Sequence, residues 1–255
     1  MVDEIIVTGC SHSTGIEMQD QLIGYPSKKH RRSAIWQWYK ENNKNTIQGL
    51  SIKELDIRST EAFHNMERQS SWPALLEKET GIPVINLAII GTSIGRNLLE
   101  FSKYCKENTL DKKTIAIHQL PELGRFYLRF CDHRVNVLPS DNLNELGYDK
   151  KYFKDDIEKV KKRYKNIIEK DIKNNYIQRH YNRCIEKIKK ISQKYDIKSF
   201  FILPDNSNIQ CNESILIKNF SDFRNKYKKG NLGHPVDHNF NRDITDIIIK
   251  NIKLP

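Results

Sequence analysis

Short apolar runs of strand length alternate with helical patterns along most of this 255-residue chain, and that alternation constrains the fold more than any single motif. Strands separated by helices cannot close as hairpins. They need crossover connections, which build a mainly parallel sheet with helices on its faces. Runs at 4–8, 84–89, 114–119 and 199–203 read as four such strands. Ser71-Trp72-Pro73 opens a helix with proline in its first turn. A second helix follows the second strand and ends near Lys106, and a last one is expected over 242–252. Between the third and fourth strands, Ile157, Val160, Tyr164, Ile167, Ile168 and Ile172 recur at helical spacing, as do Tyr181, Cys184, Ile188, Ile191 and Tyr195. The expected architecture is α/β, a three-layer α/β/α sandwich with a helical insertion. It forms one domain over 1–255, with insertions at about 19–70 and 127–196, the first read as loops and short helices.

Composition removes several classes. With 38% hydrophobic and 29% charged residues the chain supports a real core. The longest apolar stretch, 84–90, is interrupted by Asn86 and falls far short of a bilayer span. Neither a basic leader nor a cleavage site precedes the first strand, so the expected compartment is the cytoplasm. The cysteines, Cys10, Cys105, Cys131, Cys184 and Cys211, are odd in number and scattered, which argues against a disulfide framework and against a zinc knuckle. The net charge of +11 favours an anionic partner. Nothing matches a nucleic-acid-binding motif, and the Lys-rich faces over 159–170 and 187–194 read first as solvated helix surfaces.

Two positions stand out for chemistry. Ser11, in GCSHSTG (9–15), follows the first strand directly, where its hydroxyl would face the crevice above the sheet and could attack a carbonyl once a base took its proton. The plain alternative is a polar turn in which Ser11, Ser13 and Thr14 cap a helix. His234, ahead of Pro235 in GNLGHPVDHNF (230–240), is a loop histidine suited to serve as that base, or else a surface imidazole. His12, His30, His64, His118 and His133 show no metal-ligand spacing, so neither a catalytic metal nor a cofactor is expected.

The order GCSHSTG, NLAIIGTSIG (86–95), IHQLPELGRF (117–126) and GHPVDH resembles the SGNH, or GDSL-like, hydrolases, especially their divergent phage and environmental forms. Trp72 and Asn86-Leu87-Ala88 echo the family's pattern ahead of its second block. The resemblance spans nearly the whole chain and implies a flavodoxin-like sheet and a serine esterase acting on small acyl esters, such as acetylated carbohydrate. It implies Ser11 as nucleophile, with Cys10 in place of the usual aspartate. The oxyanion hole would comprise the Ser11 and Gly91 amides and Gln119, the last replacing the family's asparagine. His12 and Arg125 become candidate substrate contacts. The final block usually reads Asp-x-x-His, yet position 231 is Asn. In a serine-protease triad that exchange costs about 10⁴ in rate. Three readings follow: a Ser-His dyad or one steadied by Asn231, an acid supplied by Asp237 or Asp205, or a fold that binds carbohydrate or nucleic acid without catalysis.

Ser93 competes as nucleophile, because Gly91-Thr92-Ser93-Ile94-Gly95 fits the GxSxG elbow of α/β-hydrolases between a strand and a helix. That fold would place more strands before the elbow than this sequence offers, whereas the SGNH-like reading uses all four segments. Transfer of the acyl group to another hydroxyl would use the same residues as hydrolysis.

Overall fold

The structure, a computed structural model, describes residues 2–10, 13, 30–43, 50–89, 92–110, 113–121, 123, 126–130, 133–137, 162, 165–167, 169–170, 173–204, 214–227, 229, 235 and 237–255. In chain order its elements are β1 (Glu4–Thr8), α1 (Arg31–Asn42), α2 (Ile52–Gln69), α3 (Trp72–Thr80), β2 (Val84–Asn86), α4 (Ile94–Glu107), β3 (Thr114–Gln119), β4 (Phe126–Phe130), β5 (His133–Val137), α5 (Tyr176–Lys194), β6 (Lys198–Ile202), β7 (Ile215–Ile217), α6 (Phe220–Arg224) and α7 (His238–Ile252).

Five strands form one sheet in the order β2-β1-β3-β6-β7, every pair parallel. β1, β3 and β6 are nearly continuous apolar runs because both of their faces are covered. Alternate residues point to opposite faces, and the core divides accordingly. Ile5, Val7, Ile115, Ile117, Phe200 and Ile202 cluster with Trp72 and Leu76 of α3 and with Phe240, Ile244 and Ile248 of α7. Ile6, Ala116 and Phe201 cluster with Phe101 and Cys105 of α4 and with Ile185 and Ile188 of α5. The expected α/β class with a parallel sheet is therefore what forms. No helix among the described residues is long and apolar enough to cross a membrane.

Several boundaries differ from expectation. β2 ends at Asn86 rather than 89; beyond it the Asn86 side chain accepts from the Ala88 amide (3.0 Å), while the Leu87 and Ile89 amides still donate to Val7 O and Gly9 O. The region 50–70 holds an 18-residue helix, α2, not loops and short helices; Ser51 and Glu54 form a reciprocal capping box at its start. Residues 126–130 and 133–137, nearly all inside the insertion expected at about 127–196 as helical, pair instead as the antiparallel strands β4 and β5. α7 begins at His238, four residues early, because the Asp237 carboxylate caps it. The helix expected over 157–172 falls largely outside the described residues, although 165–167 and 169–170 are helical.

Candidate active site

The chain leaves β1 for β2 on one side and later places β3 on the other. The carboxyl ends of β1 and β3 therefore flank the topological switch point, the crevice where open α/β sheets receive ligands. Register sets Thr8 beside His118, so that Gly9 and Gln119 come next along the two strands.

A connected set of buried polar groups occupies this edge. Ser13, fully buried, donates its hydroxyl proton to Gln119 Oε1. Gln119 is 1% exposed, and its Nε2 finds no hydrogen-bond partner among the described residues. The Gln119 carbonyl accepts from Asn97 Nδ2 of α4 at 3.5 Å. Asn86 Nδ2, at the end of β2, donates to the Ser13 carbonyl at 2.8 Å. The Ser13 amide in turn donates to Cys10 O, and the Ile89 amide to Gly9 O. Side chains from the ends of β2 and β3 thus converge on the turn after β1, and one from α4 holds the end of β3. A Cβ at position 9 would stand 2.8 Å from Ser13 Cβ and 3.3 Å from Gln119 Cβ, so only glycine admits this approach.

Beneath the edge lies a largely buried relay. Thr8 Oγ1 is 2.9 Å from His118 Nδ1, His118 Nε2 is 3.3 Å from Ser199 Oγ, and Ser199 Oγ is 2.6 Å from Ser192 Oγ. Counting protons assigns every direction. The single hydroxyl proton of Ser192 goes to the Ile188 carbonyl, which can only accept. Ser199 must then donate to Ser192 and accept from Nε2–H, leaving a bare Nδ1 to accept from Thr8. Complete burial drives the His118 pKa down to about 3, so the imidazole is neutral. Its ring meets Phe101 edge-on at 4.8 Å and lies 5.3 Å from Phe201.

A second polar cluster joins α1 to α2. The Glu67 carboxylate, 1% exposed, takes Arg31 on one oxygen and His64 Nδ1, at 2.7 Å, on the other. One residue on, Arg68 donates to the Asn86 and Ala88 carbonyls at 3.4 and 3.3 Å, which ties the end of α2 to the exit of β2.

Of the residues singled out in the sequence, Gln119 is the last residue of β3 and stands at this edge. Ser11, His12, Gly91, Arg125, Asp205, Asn231 and His234 lie outside the described residues. Ser93 is buried and acts as N-cap of α4, its oxygen accepting from the Arg96 amide at 3.4 Å. Asp237 accepts from the Asn239 amide at 2.9 Å as N-cap of α7. Ser13 was expected here only as a helix cap, and Asn97 and His118 were not anticipated as parts of this region. A histidine inside the apolar run Thr-Ile-Ala-Ile-His-Gln was the available signal for the last of them. Among the described residues, no group of three His, Cys, Asp or Glu is arranged to hold a metal ion. Comparison with protein-family models, curated proteins and solved structures returned no match.

Proposed function

We propose that the protein is an SGNH-type serine esterase whose site lies at the carboxyl ends of β1 and β3. The observation that carries this reading is the buried Gln119 amide, whose Nε2 has no partner among the described residues and lies at the switch point, where the chain also leaves β1. A buried donor without a partner costs about 1–3 kcal/mol, a cost that a ligand oxygen accepting from it would offset. An oxyanion that develops only in the transition state uses such a donor for catalysis.

In this mechanism Ser11 attacks the acyl carbonyl while His234 accepts its proton. The Ser11 and Gly91 backbone amides and Gln119 Nε2 stabilise the tetrahedral oxyanion. His234 returns the proton to the departing alkoxide, and water then releases the acyl group from Ser11 by the same route. His12 and Arg125 are the proposed substrate contacts. The histidine would be oriented by Asn231, Asp237 or Asp205, or act in a dyad without an orienter. Ser93 is the weaker nucleophile on this account, since its oxygen already caps α4. The proposed substrate is a small acyl ester, such as an acetylated carbohydrate, of anionic character in view of the charge of +11. Scattered cysteines favour a reducing, cytoplasmic setting, with neither cofactor nor metal in the reaction.

Asn231 in place of the family's aspartate supports a second reading, a binding protein for anionic carbohydrate or nucleic acid on the same fold. Turnover of p-nitrophenyl acetate by the purified chain, with Ser11→Ala as control, separates the two. Activity lost in the variant supports the esterase, and turnover equal to the control contradicts it.

A further inference from the structure

We propose that Ser13 is a positioning residue that sets the direction of the Gln119 amide, so that Nε2 rather than Oε1 faces the ligand; this rests on the esterase reading of the site. A glutamine amide has a donor branch and an acceptor branch on opposite sides of one plane, and nothing in the sequence decides which faces a ligand. Here the Ser13 hydroxyl donates to Oε1, which directs the donor branch away from Ser13 and leaves Nε2 without a partner among the described residues. Rotation of the amide by half a turn would present a carbonyl oxygen to a developing oxyanion and repel it.

The surroundings hold Ser13 for this task from several sides. Its amide is bound to Cys10 O and its carbonyl to Asn86 Nδ2, and the missing side chain of Gly9 leaves the space that its Cβ and hydroxyl occupy. The Gln119 backbone is fixed by β3 and by Asn97. Residues 106 positions apart in sequence thereby meet with both side chains fully enclosed. A turn that merely reversed the chain after β1 would not need a buried hydroxyl aimed at the end of another strand.

The test is a double-mutant cycle on the full chain: wild type, Ser13→Ala, Gln119→Ala and the double variant, each checked for an unchanged circular dichroism spectrum. Removing an oxyanion donor costs about 10²–10³ in kcat. Gln119→Ala is expected to lose about 10²-fold, and Ser13→Ala about tenfold, with KM within about twofold of wild type. Because Ser13 acts through Gln119, the double variant is expected to be no slower than Gln119→Ala alone. Losses that multiply in the double variant, or a Ser13→Ala enzyme with wild-type kcat, would overturn the proposal.

Failure of the esterase reading is visible separately. If wild type neither turns over p-nitrophenyl acetate nor takes a fluorophosphonate at Ser11, that reading fails, and the positioning claim is judged on the side-chain amide signals of ¹⁵N-labelled protein. A Gln119 Nε2 signal displaced by Ser13→Ala, against unchanged backbone signals in β1 and β6, supports the claim. A Gln119 signal that does not move refutes it, as does fluorophosphonate attached to Ser13 itself.

Discussion

Replacing His118 by glutamine removes the only titrating group of the largely buried relay while leaving a polar amide between Thr8 and Ser199. The imidazole titrates near its ordinary 6.5 once the chain unfolds, but burial depresses it to about 3 in the folded protein. Below pH 6.5 the unfolded chain therefore binds a proton that the folded protein refuses. Stability supplied by keeping this ring neutral is complete above pH 6.5 and declines as pH falls toward 3, by about 1.4 kcal/mol per pH unit. Between pH 7 and pH 5 wild type should lose about 2 kcal/mol from this group alone, a loss the variant does not share. The assay is urea denaturation of both proteins at the two pH values. Whatever the difference at pH 7, the stability advantage of wild type over His118→Gln should shrink by about 2 kcal/mol at pH 5. A difference that stays constant or widens would refute a buried neutral imidazole. Nitrogen-15 spectra of the wild-type ring should show the Nε2–H tautomer, and a protonated Nδ1 would break the proton count that runs from Ile188 to Thr8.

Three further outcomes follow from packing. Gly9→Ala places a methyl group 2.8 Å from Ser13 Cβ, so overpacking should cost about 1–3 kcal/mol in thermal or chemical denaturation and lower ester turnover by displacing Ser13 and Gln119 together. Glu67→Ala removes the nearly buried carboxylate that Arg31 and His64 share and should cost about 3–5 kcal/mol in urea denaturation. Ser51→Ala removes one half of the α2 capping box and should cost only about 1 kcal/mol by the same measurement, because that end is exposed.

The sheet was legible where burial on both faces forces unbroken apolar runs, as in Ile5-Ile6-Val7 and Thr114-Ile115-Ala116-Ile117. Alternation of these runs with amphipathic helices fixed the parallel topology and with it the edge where Gln119 stands. α2 was hard to read because two of the three buried residues on its inward face, Ser59 and Glu67, are polar and interrupt the apolar stripe. Glu67 is tolerated there through partners such as Arg31 and His64, which periodicity cannot reveal. The Ser51-x-x-Glu54 pattern was the local signal for its start. The strand pair β4–β5 escaped because its strands intersperse Arg129, His133 and Arg134 among apolar residues, and β7 because it is only three residues long. Gln119 was expected from its place at the end of the third strand. Ser13 was expected only as a helix cap, since its contact with Gln119 depends on register between strands and on the absence of a side chain at Gly9.

The central claim is that the turn after β1 carries an activated serine. Fluorophosphonate labelling of the purified chain, with the modified peptide mapped by mass spectrometry and Ser11→Ala as control, tests it most directly. The account predicts a single adduct on Ser11 that disappears in the variant, and an adduct on Ser93, or none on any serine, would contradict it.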